Sequence, residues 1–308
     1  MNRLEEDRDK ITEIMIAQSQ AEHGGLSRSE LAHGVSELPL RVVYVDEAAQ
    51  KLVIGLAEDA SEHRARHLER LLEIVGEVDL DLRYVKVETH ACPNKTGDCR
   101  PIRAGVRLNT FGTLSMVGIH NVSGSREPFT IVSSHVVGPG TNQAVGQPAA
   151  SAPYGRVTVN PSLVNRSSDA ALTNINNHRI EYLKYAVWAG ANDEYFAVTG
   201  FDGAVAVGDD IVMQGAHSAD LAEGQVTQLN VTVNDSFGTL THQVYADYPA
   251  EGGDSGAPVL SINETDNSGV YVGIHCGRVI DTQTGQQTPY FSTWNYISAE
   301  LGVNPIDI

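Results

Sequence analysis

Positive charge is scarce in this 308-residue chain: 21 Lys and Arg stand against 39 Asp and Glu, a formal net charge of −18 at pH 7. Such a surface repels polyanions, which argues against nucleic acid or an anionic membrane as a partner. Long apolar runs are missing as well, and no stretch approaches the roughly 18 residues of a spanning helix. No Gly-rich phosphate loop appears, so no nucleotide cofactor is implied. The start, MNRLEEDRDKITEIM, is acidic and mixed and is not a signal peptide as written. No solenoid-type repeat is present. Cysteine is rare, with three in all. Cys92 and Cys99 lie in the turn-rich ACPNKTGDC and either close a disulfide or remain free thiols, with Cys276 left over. His23 and the His63/His67 pair are the candidate metal ligands. His63 and His67 are four apart on an expected helix, but no third ligand is in view, so the expectation is a solvated helix face and no metal.

What is present divides in two. Hydrophobic residues make up 41% and charged residues 19%, an ordinary globular balance, and the length suits about two domains. Over 1–90, LEEDRDKITEIMIAQSQ places Leu4, Ile11, Ile14 and Met15 at helical spacing. RVVYVDEAAQKLVIGLA reads as two strands around a turn. ASEHRARHLERLLEIVG puts Leu68, Leu71, Leu72, Ile74 and Val75 on one helix face, with Gly76 as its stop. DLDLRYVKVET alternates as a strand. The sum is a small α+β domain over 1–90, then a linker by composition over 91–101. From 102 to 308 helical periodicity disappears. GVRLNTF, LSMVGIH, FTIVSSHVV, EYFAVTG, DDIVMQG, VTQLNVTV and GVYVGIH are short strand-like runs between turn residues, and this pattern suggests a β-sandwich or barrel. Only TWNYISAELGV at the end reads as a helix. Six N-x-S/T sequons, beginning at Asn94, Asn121, Asn165, Asn230, Asn234 and Asn263, fit an exported protein.

The stretch EGGDSGAPVL surrounds Ser255 with more glycine than a surface turn needs. A serine hydroxyl becomes a nucleophile only with a base in reach and a group that orients the base. It also needs donors aimed at the developing oxyanion. Glycines allow the backbone to turn its N–H groups inward, and those of Gly253 and Ser255 are the natural pair. His135, at the end of the apolar run PFTIVSSH, is the candidate base. Asp169, directly before the apolar run of SSDAALTNI, is the candidate orienter. Taken alone, the first is as well read as a core histidine and the second as a turn aspartate. Their chain order, His, Asp, Ser, is that of the trypsin-type triad.

These segments resemble the chymotrypsin-like serine peptidases, closest to the bacterial streptogrisin and α-lytic branch. GGDSGAP resembles that family's nucleophile segment, TIVSSHVVG its histidine segment and SDAAL its aspartate segment. VGIHCG resembles the strand lining its cleft, and YFSTWNYISAELGV its closing strand and C-terminal helix. The likeness covers roughly 100–308. It implies a double six-stranded β-barrel that cleaves peptide bonds through an acyl-enzyme. His135 would be the base, Asp169 its orienter and Ser255 the nucleophile, with Gly253 and Ser255 as the oxyanion hole. Ser133-Ser134 depart from the small residues usual before the histidine, Val136 from a common cysteine, and Ala257 from a glycine. Asp254 normally has a cationic partner, for which Arg103 and Arg166 are the candidates. Pro249 stands where trypsin-like members carry an aspartate. With His275, Cys276 and Gly277 on the cleft strand, this implies a neutral or apolar side chain in the substrate. Cys276 is either a redox-sensitive thiol beside the cleft or a small buried apolar residue. In such a family residues 1–90 correspond to a pro-segment, removed near Cys99–Gly105, or to a permanent regulatory domain. The alternative for the whole chain is a catalytically silent relative that binds peptides in the same cleft.

Overall fold

The computed structural model describes residues 3–22, 38–46, 51–57, 63–76, 78–88, 102–109, 112–176, 182–188, 195–218, 221–263 and 268–306. The expected loop between Cys92 and Cys99, the 91–101 linker and His23 lie outside them.

Helix α1 (Arg3–Glu22) buries Ile11 and Met15, four residues apart, against a sheet. That sheet begins with the antiparallel pair β1 (Leu40–Asp46) and β2 (Lys51–Ala57). Strand β3 (Leu80–Glu88) then pairs parallel to β2, which requires a crossover, and α2 (Arg64–Val75) supplies it. Val43 and Val45 of β1 face the helices, with Leu52, Ile54, Leu71, Val75 and Tyr84 in the same core. Two expectations for α2 change. Leu72 is 37% exposed, because it projects about 100° away from Leu71 around the helix. His67 is buried one turn before Leu71 rather than solvated. Burial, with His63 and Arg66 nearby, holds its imidazole below the usual range. Gly76 ends the helix at φ 75° as expected.

The first half of the β-rich part contains β4 (Ile102–Ala104) and a five-stranded sheet. The order in this sheet is β5 (Leu114–Val122), β6 (Ser125–Ser133), β9 (Ala170–Ile175), β8 (Pro153–Val159) and β7 (Ala144–Gly146). Residues 105–109 of the expected strand GVRLNTF form no strand. Gly105 turns the chain at φ 78°, and the segment makes one isolated bridge, Arg107 to Thr113. Helix α3 (Ser134–Val137) is a single turn directly after β6, so His135 sits in that turn rather than at the strand's end. Strands β10 (Tyr182–Trp188) and β11 (Tyr195–Phe201) then lead to the second half.

The second half is a closed ring. β12 (Asp210–Met213) pairs with β13 (Ala222–Asn234), β13 with β14 (Thr239–Ala246), and β14 with β17 (Gln287–Thr293). β17 pairs with β16 (Ser268–Asp281), β16 with β15 (Pro258–Asn263), and β15 returns to β12. Its interior holds Met213, Val226, Val244, Val259 and Phe291. Helix α4 (Trp294–Leu301) closes the chain with Trp294, Ile297 and Leu301 buried at i, i+3 and i+7.

Strands β13 and β16 run past this ring, and the N-terminal strands fill the gap between their ends. Val42 and Val43 of β1 pair with Val233 and Thr232. Val85–Glu88 of β3 pair with Asp281–Arg278. β13, β1, β2, β3, β16, β17 and β14 thereby form a second closed ring, shared between the two parts of the chain. A cavity of about 650 Å³ is lined by residues of all seven of these strands, Val42, Gly55, Arg83, Gln228 and Thr288 among them.

Candidate active site

Asp169 immediately precedes β9, and β9 pairs with β6 so that Ala170 lies opposite Ser133. This register sets Asp169 against the turn that carries His135. The carboxylate grips that turn twice. Oδ1 accepts the His135 backbone N–H at 3.0 Å, and Oδ2 lies 2.5 Å from His135 Nδ1. Ser133 Oγ donates to the same Oδ2 at 2.9 Å. Behind Asp169, its own N–H donates to Ser292 Oγ at 3.0 Å. Ser292 Oγ donates in turn to Gln243 Oε1 at 2.8 Å. The side chain of Asp169 is thus held by the histidine segment, and its backbone N–H from the second half. Burial by itself would lower the His135 pKa. The Asp169 charge, its hydrogen bond and the more distant Asp235 charge outweigh burial, and the net shift is upward. With its proton on Nδ1 facing Asp169, Nε2 is the atom left to accept another; it is buried and makes no hydrogen bond.

Ser255 occupies a tight turn before β15 and is fully buried. Its carbonyl accepts the Thr113 N–H at 2.7 Å, while the Gly256 N–H donates to the His275 carbonyl at 2.8 Å. Gly256 has φ 92°, and a Cβ there would lie 2.2 Å from the Thr113 carbonyl oxygen and 3.4 Å from Ser133 N. Only glycine fits, and the Ser255 turn therefore abuts the histidine segment. A Cβ on Gly112 would meet the Val136 side chain at 2.8 Å and the Ser255 carbonyl at 3.0 Å, a second sign of the same juxtaposition. The Ser255 hydroxyl donates to the Cys276 carbonyl at 3.2 Å. The structure thus joins His135 to Asp169 directly and sets Ser255 beside them with its hydroxyl directed at β16.

Gly253 has φ 103°, and its carbonyl accepts the Thr113 hydroxyl at 2.9 Å. That bond fixes the peptide plane between Gly253 and Asp254, next to the two amides expected to receive an oxyanion. Asp254 has neither of its expected cations. Arg166 pairs with Glu300 at 2.8 Å, and Arg103 lies over the Trp188 ring. Neutral donors hold the Asp254 carboxylate instead: the N–H groups of His217, Ser218 and Glu251 and the Ser218 hydroxyl, the last at 2.6 Å. A buried carboxylate saturated in this way needs no cation. The 215–218 segment approaches so closely that a Cβ on Gly215 would lie 1.9 Å from Asp254 Oδ1.

The residues expected along the cleft are grouped on β16. His275 is fully buried, with Nδ1 3.0 Å from the Tyr248 hydroxyl. Cys276 is free and buried, its Sγ 3.1 Å from Ser292 Oγ. Burial pushes its thiol well up, with Asp169 adding, which suits a packed residue and not a redox-sensitive thiol. Gly277 is buried beside them, and Pro249 is exposed just after Tyr248. Thr113, Ser133, Gln243 and Ser292 were not singled out as site residues. Ser133 alone carried a signal, as a hydroxyl two residues before the histidine.

No family model matches the sequence, and no curated protein matches it. Solved structures do. Protease A from Thermobifida fusca superposes with a TM-score of 0.51 at 22% identity, covering 67% of this chain and 99% of its own. A Nocardiopsis protease gives 0.50 at 20% identity, covering 66% and 98%. A protease described as glutamic-acid-specific, with a histidine triad in substrate binding, gives 0.52 at 17%, covering 66% and 100%. This chain has the chymotrypsin-like fold.

Proposed function

We propose that the chain is a serine-type endopeptidase. His135 is the general base, Asp169 its orienter and Ser255 the nucleophile, with the Gly253 and Ser255 amides receiving the oxyanion. The observation that carries this reading is the double hold of Asp169 on His135, which leaves Nε2 uncommitted while the Ser255 turn abuts the segment around the histidine. A turn of the Ser255 side chain away from the Cys276 carbonyl would let Nε2 take its proton as Oγ attacks. The acyl-enzyme would then be hydrolysed by the same base acting on water. A fluorophosphonate probe tests the assignment: labelling that disappears in Ser255→Ala supports it, and protein that never labels, either full-length or after cleavage near 99–105, overturns it.

The second reading, a silent peptide-binding relative, draws on the same serine contact, because the hydroxyl rests on Cys276 and not on His135. It predicts peptide binding without turnover. The substrate side chain at the cleaved bond is non-basic in our reading, since Pro249 offers no negative charge. One structure of the same fold is described as glutamic-acid-specific, so an acidic side chain is the third choice to test. Peptides differing only in Lys, Phe or Glu at that position rank these choices; a preference for Lys would end this reading.

Residues 1–90 act on the same cleft as a pro-segment. Strand β3 pairs with β16 up to Arg278, the residue after Gly277, so the N-terminal part covers the end of the cleft strand. The intact mass of active protein tests this. A mass short by the first 100 or so residues agrees with removal, and a full-length mass assigns a permanent regulatory domain.

A further inference from the structure

The tip between β13 and β14 bears on His135 from the side opposite the sequence motifs. Asp235 folds this tip. Its N–H donates to the Gly238 carbonyl at 3.0 Å, and its Oδ1 accepts the N–H groups of Phe237 at 2.7 Å and Gly238 at 3.1 Å. The turn lays the Phe237 ring on the His135 imidazole, centroids 5.1 Å apart and planes 32° apart, with 39% of Phe237 exposed. Asp235 is itself buried, and its Oδ2 accepts the Tyr290 hydroxyl at 3.4 Å. The strands leading into the tip are tied to the N-terminal part: Asn234 Nδ2 donates to the Leu40 carbonyl at 3.3 Å, and Thr239 Oγ1 to the Met15 carbonyl at 3.4 Å.

We propose that Asp235 is a second positioning carboxylate for His135, shaping the turn that holds Phe237 against the imidazole and adding a negative charge to the one supplied by Asp169. The proposal rests on the peptidase reading above. The groups that face this pair are Asp169, the Cys276 thiol and the Tyr290 hydroxyl, and burial keeps the last two neutral. Burial raises the Asp235 pKa to about 6 against its two backbone N–H bonds, with His135 lowering and Asp169 raising it. Asp235 is therefore charged at neutral pH and keeps its charge down to about pH 6, below the raised His135 midpoint. A buried anion near an imidazole favours the imidazolium. The same charge that steadies His135 at the moment it takes the serine proton also raises the pH below which it is already protonated. Phe237, half in solvent beside the imidazole, is then a wall for the substrate residue next to the cleaved bond.

Asp235→Asn separates these roles, because an asparagine oxygen still accepts the two turn N–H groups while the charge is lost. Two readouts apply. One is the pH dependence of kcat/KM for a peptide substrate. The other is the titration of the His135 ring in the Ser255→Ala protein, followed by NMR, which needs no turnover. The expected result is a fall of roughly half a pH unit or more in both midpoints, with KM nearly unchanged. Phe237→Ala raises KM while the midpoint moves less. If Asp235→Asn does not fold, Asp235→Ser keeps a side-chain acceptor for the turn and gives the same two readouts. Midpoints that stay in place in the folded variant overturn the proposal. Native protein that hydrolyses no peptide while the ring titration still shifts overturns the peptidase reading and leaves the electrostatic assignment standing.

Discussion

The two halves of the site are held in opposite ways. On the first-barrel side, His135 is locked from several directions: backbone and ring to Asp169, ring against Phe237, and Ser133 alongside. On the second-barrel side, the Ser255 backbone is equally fixed, by Thr113, His275 and a glycine that admits no side chain, but its hydroxyl points at the Cys276 carbonyl. The imidazole and carboxylate are already joined, and the Ser255 hydroxyl is turned toward β16 instead.

Mutations can break this comparison at either side. Ser255→Ala or His135→Ala is expected to lower kcat roughly 10⁴- to 10⁶-fold with the fold intact, measured by steady-state hydrolysis and circular dichroism. Asp169→Asn should cost about 10⁴-fold, because the amide favours the wrong imidazole tautomer; equal losses at His135 and Asp169 would show that they act as one unit. Thr113→Val releases the Gly253 carbonyl and should cost about ten- to a hundredfold in kcat with little change in KM. Ser133→Ala removes one of the donors to Asp169 and should cost about two- to tenfold. The acid limb of kcat/KM should lie above pH 6.5. A raised His135 pKa means the imidazole is still protonated, and inactive as a base, at pH values where an ordinary histidine is free. A limb at or below that value would show that burial outweighs the carboxylates.

The sequence singled out the three candidate residues because they sit in short segments with distinct chemistry: a glycine turn, an apolar run ending in histidine, an aspartate before a strand. The helices and strands of the N-terminal part were legible from periodicity, and so were β5, β6, β11, β12, β13 and β16. What supports the triad was not. Ser292 and Gln243 reach Asp169 across the barrel seam, and no spacing along the chain announces that meeting. The partner of Asp254 was misread because a charged partner was expected, whereas four neutral donors from nearby backbone and Ser218 suffice. Leu72 and His67 were misplaced because a list of apolar letters does not fix which 100° sector of α2 meets the sheet. Asp235 and Phe237 were not singled out in the sequence, and the packing of β13 and β14 brings Phe237 to the histidine.

The shared seven-strand ring has a consequence for anything that detaches the N-terminal part. Its departure would strip rungs from two ladders at once, leaving bare amide and carbonyl groups at Thr232–Val233 and at Arg278–Asp281. Such uncovered borders recruit other strands, so a liberated β-rich portion would be poised to capture an extended peptide there, or to stick to its own kind.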